Sequence, residues 1–383
     1  MNLKGSFSMR LQLPGIICPK KLRVMAENTL KSAFGEDPCR RFGFAKSSVG
    51  NTRNVFSLQN KTIIFLNAEQ GYKYVYNSIH LQKLSMLDIS LRMKKDISSF
   101  DSLKYQEDYS EYHKKQFRNW SYIDKNFVLH QLRKAYLKID SITPKVLPDT
   151  LYFIRTTGRQ EFKSYYTCKN AIICPSALRL SSTYLPFIGA VRRFTEQIFI
   201  HEIFHIYSSS HPGIRDELYN IVGFEKIDNL YLPPEISKKL IRNPDDKDHF
   251  YKISLRDKLT NRINDYTLLI LSKYPKWEGY IDFPARLNVL LVYLESGLVQ
   301  IKMENGKWIP QSDENQQVIL KSTDAFPDFH EKTGLRDDAI SPEEIVTRLF
   351  TNLIKLRFDN AGLKNKTITY SNLLEKIESI LKQ

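Results

Sequence analysis

Cysteine is scarce in this 383-residue chain, and the four present, Cys18, Cys39, Cys168 and Cys174, show no CxxC spacing. That argues against a disulfide scaffold or a structural Cys-zinc site and makes a reducing compartment the expectation. Glycine (15) and proline (16) are too few for collagen-like or low-complexity architecture. No uncharged apolar run reaches the ~18–20 residues of a membrane helix; the longest, Leu180–Val191, stops at Arg192. The N-terminus carries Lys4, Arg10 and an apolar stretch, Leu11–Cys18, but Pro14 interrupts it. No small-x-small cleavage site follows, so no secretory signal is read and a cytoplasmic location is expected. Signal-independent export, as of a bacterial effector acting inside another cell, is compatible with the same features.

What is present is a globular composition. With 42% hydrophobic and 26% charged residues the chain can bury a full core. The net charge of +15 is unevenly spread: residues 1–200 carry 32 Lys/Arg against 15 Asp/Glu, and residues 201–383 carry 25 against 27. The excess falls in pairs such as Lys20-Lys21, Arg40-Arg41, Lys94-Lys95 and Lys114-Lys115. Such a field attracts nucleic acid or another polyanion, although scattered pairs also serve simply as a solvated surface.

Local patterns predict an α+β chain. Thr62–Leu66 reads as a buried strand and Ile79–Leu91 as a helix, while Phe100–Trp120 is polar with interleaved aromatics. Val128, Leu132, Tyr136 and Ile139 fall at helical spacing, so Asn126–Ile139 is predicted helical. Leu151–Arg155 and Tyr165–Cys174 read as strands, and Gly189 to about Tyr207 as a long helix closed by Ser208-Ser209-Ser210-His211-Pro212. A shorter helix over Ile214–Val222 ends at Gly223. Asn288–Leu294, Leu298–Met303 and Lys307–Ile309 form a predicted meander turning at Glu295-Ser296-Gly297 and Glu304-Asn305-Gly306. Ser341–Phe358 and Asn372–Leu381 are amphipathic helices. The expected division is a basic region over 1–125, of unassigned role, and a domain over 126–383.

One motif carries chemistry. His201-Glu202-Ile203-Phe204-His205 is an HExxH sequence inside the long helix. Four helical residues turn through roughly 400°, which leaves His201 and His205 ~40° apart and ~6 Å along the axis. Both imidazoles can then reach one Zn²⁺ at ~2.0–2.1 Å. Glu202 sits beside them, where it can act as general base toward water activated by the metal. With eight His in the chain, chance would produce the motif about once in a hundred such sequences. Phe194, Ile198, Phe199, Ile200, Ile203, Phe204 and Ile206 make the helix apolar nearly all round, so it should be buried. Buried histidines and a glutamate need partners, and a metal supplies one.

A third protein ligand is required at a catalytic zinc site, and several residues compete. His211 completes HExxHxxxxxH, but Ser208 stands where the metzincin motif has glycine at its turn, and no Met-turn follows. Glu344 lies in Ser341-Pro342-Glu343-Glu344-Ile345-Val346-Thr347-Arg348-Leu349-Phe350. Ser341-Pro342-x-Glu344 is also a capping box, which would explain the glutamate without a metal. Glu217, on the helix just after the motif, and Glu343 remain alternatives. His249 and Tyr251 are candidates for stabilising an oxyanion by residue type.

With these residues the chain resembles a zincin metallopeptidase: a helix, antiparallel strands, then an HExxH helix. The resemblance covers roughly residues 126–213 and extends, weakly, to about 358. The Glu344 segment is similar to the glutamate helix of gluzincins, particularly of lethal-factor-type peptidase domains, where two apolar residues follow the glutamate and phenylalanine stands six positions on. It departs from them in carrying Arg348 where an acidic residue often follows the ligand. The resemblance implies a zincin-like fold with a small antiparallel sheet, Thr167–Cys174 as the strand that aligns an extended substrate, and His201, His205 and Glu344 as ligands. The expected function is zinc-dependent hydrolysis of a protein or peptide substrate with Glu202 as base. The alternative is a catalytically inactive zinc-fold protein whose basic first half recruits nucleic acid or another polyanion.

Overall fold

The computed structural model describes residues 54–76, 78, 81, 83–97, 102–176, 188–246, 250–277, 293–314, 318–335, 341–358 and 368–383. A first β-hairpin, β1 (Val55–Leu58) and β2 (Lys61–Phe65), leads into helices α1 (Ala68–Tyr76), α2 (Met86–Met93) and α3 (Ser102–Lys114). The short strand β3 (Phe117–Arg118) precedes α4 (Tyr122–Asp140), and β4 (Thr150–Thr156), β5 (Tyr166–Cys168) and β6 (Ala171–Pro175) follow. Next come α5 (Ile188–Ser210) and α6 (Pro212–Ile221), then β7 (Phe224–Ile227), α7 (Pro234–Ser237), β8 (Phe250–Arg256), β9 (Ile263–Ser272), β10 (Leu294–Glu304), β11 (Lys307–Pro310) and β12 (Leu320–Lys321). Helices α8 (Pro327–Thr333), α9 (Pro342–Phe358) and α10 (Ile368–Lys382) close the chain.

The fold is mixed α+β, as expected, but the sheets are larger than the small antiparallel one the sequence suggested. The first has the order β1-β2-β4-β6-β5, with β3 also on β4. It is mixed: β2 and β6 both run parallel to β4, and β1 and β5 are antiparallel to their neighbours. Parallel pairing between β2 and β4 needs a long crossover, which helices α1 to α4 provide. The second sheet, β11-β10-β9-β8-β7 with β12 on β10, is antiparallel throughout. Phe44–Gln383 forms one compact unit. The expected boundary at 125/126 falls inside it, and β2 and β4 pair across that boundary.

Burial follows the sequence periods. In α4 Val128, Leu132, Tyr136 and Ile139 are all buried, and Ser121 caps its first turn through Asp124 N–H. Ile63 and Phe65 of β2, Leu151 and Phe153 of β4, and Ala171 to Cys174 of β6 build the core of the first sheet. Phe153 meets Phe199 of α5 edge-on at 5.6 Å, which seats the HExxH helix on that sheet. On its other flank Phe204 stacks on Phe350 of α9 at 4.6 Å. Among the described residues no helix is long and apolar enough to cross a membrane. The basic pairs Lys20-Lys21 and Arg40-Arg41, Phe194, His249 and the expected strand residues 288–292 lie outside the described residues and side chains.

Several local readings differ from the structure. Tyr165–Cys174 is not one strand but the β5–β6 hairpin, turned at Lys169 (φ 52°) and Asn170. Glu295-Ser296-Gly297 is not a turn: β10 runs straight through it, with Gly297 opposite Leu269 of β9. A Cβ at Gly297 would stand 2.9 Å from the Lys321 carbonyl, so glycine there serves the close approach of β12. By contrast the Asn305-Gly306 turn joins β10 and β11 as expected, both residues having positive φ. Gly223 likewise takes φ 85° just past α6.

Candidate metal centre

Two helix segments build the centre. Helix α5 ends where it does because Pro212 has no N–H to continue the ladder, and His211 before it leaves the helical region at φ −125°, ψ 69°. Its last turns carry His201, Glu202, His205 and Ser208. Helix α9 begins at the N-cap Ser341, whose hydroxyl accepts the Glu344 N–H at 3.3 Å. Half of the expected capping box is therefore present, but the Glu344 carboxylate turns to the histidines rather than back to the cap. The positive end of the α9 dipole favours negative charge at Glu343 and Glu344.

His201, His205 and Glu344 bring one donor atom each within 4.8 Å of one another. His205 Nε2 lies 2.9 Å from His201 Nε2. Glu344 Oε2 is 3.3 Å from His201 Nε2, and Oε1 is 3.6 Å from His205 Nε2. Bonds of ~2.0–2.1 Å in a tetrahedral zinc site put ligand atoms about 3.3 Å apart, and the three distances bracket that value. Two imidazole nitrogens this close either share an N–H hydrogen bond or ligate a common cation. The group can therefore hold a metal ion.

The surroundings tune these donor groups. Burial opposes the charge on Glu344, but the hydrogen bond from His201 and the positive charges of His205 and His201 outweigh it and hold the carboxyl below its usual range. Asn243 Nδ2 donates to Glu344 Oε1 at 3.2 Å. Burial also opposes a charged His205, yet Asp245, the hydrogen bond with Glu343 and the charge of Glu344 together raise its affinity for a proton. Glu202 is 4% exposed, and its Oε2 has no hydrogen-bond partner. Burial first, then the nearby Asp245, push its carboxyl well above the ordinary range. Such a carboxylate is a stronger base than one in water.

Of the other candidates, His211 faces away: its Nδ1 lies 2.9 Å from the Tyr207 carbonyl, and its ring stacks on Tyr207 at 4.2 Å. Glu217 is exposed on α6. Tyr251 donates to Asp216 at 2.8 Å and packs edge-on against Tyr219, so it is not in contact with the histidines. Glu343 touches His205 from behind, with Oε1 2.7 Å from Nδ1. In the expected substrate strand only β5 lies at the sheet edge, β6 being interior. The Thr167 N–H and hydroxyl both donate to Asp245 Oδ1, at 2.8 and 2.7 Å.

Sequence reasoning missed Ser208, Tyr219, Asn243 and Asp245 as parts of this centre. Asn243 and Asp245 ride on a segment pinned from the far side by a buried ion cluster. Arg92 pairs with Asp88 and with Glu161 (3.0 Å) and donates to the Arg242 carbonyl at 3.0 Å, while the Arg242 N–H donates to Asp88 Oδ2 at 3.1 Å. Adjacent carboxylates in Ser-Pro-Glu-Glu were the one available signal for Glu343. A cavity of about 420 Å³ adjoins the centre, lined among others by Tyr166, Thr167, Tyr219, Asn243 and Glu343. It reaches the residues around the three donors, not the donors themselves. No protein-family model, curated protein or solved structure matches this chain.

Proposed function

We propose that the chain is a zinc-dependent endopeptidase of zincin type, with His201, His205 and Glu344 as ligands and Glu202 as general base. The observation that carries the reading is the convergence of three donors from two helices within 4.8 Å, beside a buried, unpartnered Glu202 Oε2 on the same helix. A structural pair of core histidines does not call for a carboxylate as third donor in that position. When bound, zinc would supply a Lewis acid that polarises the scissile carbonyl and makes water acidic enough to deprotonate near neutral pH. Glu202 takes the proton from the attacking water and passes it to the leaving amine, and its raised pKa suits it to both tasks. Asn243 holds one oxygen of Glu344 in place.

The test is paired. Protein purified without chelators should contain zinc at a ratio near one and hydrolyse an unstructured protein substrate. Glu202→Gln should retain the zinc and lose the hydrolysis. A ratio near zero that added zinc does not restore, or equal hydrolysis by wild type and variant, overturns the reading. Zinc binding with no hydrolysis by wild type, joined to salt-sensitive retention on nucleic acid, would favour the inactive binding protein instead.

A further inference from the structure

The proposed ligand His205 is gripped from both sides by consecutive residues of one helix turn. Successive residues of an α-helix point about 100° apart, so Glu343 and Glu344 at the start of α9 reach different faces of the same imidazole. Glu344 lies before Nε2 and Glu343 behind Nδ1. Glu343 is 3% exposed, and its second oxygen accepts from two hydroxyls, Ser208 Oγ at 2.7 Å and the Tyr219 phenol. Those two donors come from α5 and α6, so three helices fix one carboxylate. An ionised carboxylate only accepts hydrogen bonds. With Ser208 and Tyr219 donating to Oε2, Oε1 is left to receive the His205 Nδ1–H. Thr347 Oγ1 stands farther from that nitrogen, at 3.3 Å.

We infer that Glu343 is a positioning residue, held by Tyr219 and Ser208, which keeps the proton of His205 on Nδ1 and its Nε2 lone pair toward His201 and Glu344. The inference deepens the metallopeptidase reading and rests on it for the identity of the ion. A histidine whose other nitrogen donates to a carboxylate is fixed in tautomer and ring orientation and is a more basic ligand. The arrangement also explains two departures from the motifs this sequence resembles. Ser208, where metzincins have glycine, is a donor to Glu343. Arg348, where gluzincins often have an acidic residue, leaves a role that Glu343 fills from one position before the ligand.

The experiment compares wild type with Glu343→Gln, Tyr219→Phe and Ser208→Ala. Zinc dissociation constants are read by competition with a chromogenic chelator, folding is read by circular dichroism and melting temperature, and the His205 Nδ1–H resonance is followed in metal-free protein. Glu343→Gln should weaken zinc binding about 10- to 100-fold while the metal-free fold persists. Tyr219→Phe and Ser208→Ala should weaken it severalfold in the same direction. The Nδ1–H signal should be downfield and slowly exchanging in wild type, and shifted or lost in Glu343→Gln. If Glu343→Gln does not fold, the two hydroxyl variants carry the test. Zinc affinity within about twofold of wild type in every folded variant, with the Nδ1–H signal unmoved, overturns the inference. If wild type binds no zinc, the metallopeptidase reading fails on its own, and the Nδ1–H signal still decides whether Glu343 holds His205.

Discussion

His201 Nε2 on α5 stands 3.3 Å from Glu344 Oε2 on α9, although the two residues belong to helices separated by the whole second sheet in sequence. The contact is secured by apolar packing one to two turns away, where Phe204 stacks on Phe350. The geometry of the candidate metal group is thus set by the docking of two helices rather than by a loop. Glu344→Ala should keep the helices docked, because the Ser341 cap and the Phe204–Phe350 stack survive, yet it should lower the zinc-to-protein ratio from near one toward zero after dialysis. Elemental analysis of the dialysed variant checks this, and full retention of zinc would remove Glu344 from the ligand set.

His211 and Glu217 provide the matching negative expectation. His211 is spent on the Tyr207 carbonyl and on the turn between α5 and α6, and Glu217 points to solvent. Alanine at either position should leave zinc stoichiometry unchanged. His211→Ala should cost under about 1 kcal/mol of stability, the scale of a helix-terminus contact. Loss of zinc from His211→Ala would revive the HExxHxxxxxH arrangement.

Glu202 gives a prediction about stability as well as catalysis. Its carboxyl is buried, its Oε2 is unpartnered, and its folded pKa is raised. For an acid with a raised folded pKa, the unfolded state loses its proton first as pH rises, so stability falls from the unfolded pKa upward. In chelator-treated protein Glu202→Gln should therefore be more stable than wild type at pH 7 by about 1 kcal/mol. The difference should shrink as the pH is lowered toward 4. Urea titrations at several pH values measure it, and a variant less stable than wild type at pH 7 would refute the assigned environment.

The histidine pair was legible in the sequence because its spacing is local: four residues on one helix are enough. Glu344 was visible only as one of several candidates, since its partnership with His201 depends on how α9 docks. Glu343 showed only as the carboxylate beside Glu344, and Tyr219 and Ser208 gave no sign of their role, because each is an ordinary residue until three helices meet. The same division runs through the fold. Helices α4, α5, α6, α9 and α10 announce themselves through apolar spacing and end signals. Strand β8, whose burial alternates along Phe250–Arg256, and strand β9 were passed over. Gly297 misled for a physical reason: glycine marks a turn when φ must be positive, but here it makes room for the backbone of β12.

Acid sensitivity should have a component far from the centre. Asp257, at the β8–β9 connection, pairs with Lys321 of β12 and accepts the N–H groups of Leu259 and Thr260 at 2.9 and 3.0 Å. The Lys321 hydrogen bond, then the backbone N–H groups, hold its carboxyl down at about 2. A depressed folded pKa contributes stability that is fully present above the unfolded value near 4 and is lost as pH falls through about 2. Asp257→Asn keeps an oxygen for the two N–H groups but removes the charge facing Lys321. The variant should be less stable than wild type by about 2 kcal/mol at pH 6, and the two should converge near pH 2. Denaturant unfolding of both proteins across that range checks it, and a gap that stays constant with pH would show that the turn hydrogen bonds, not the charge, hold β12 to this corner of the sheet.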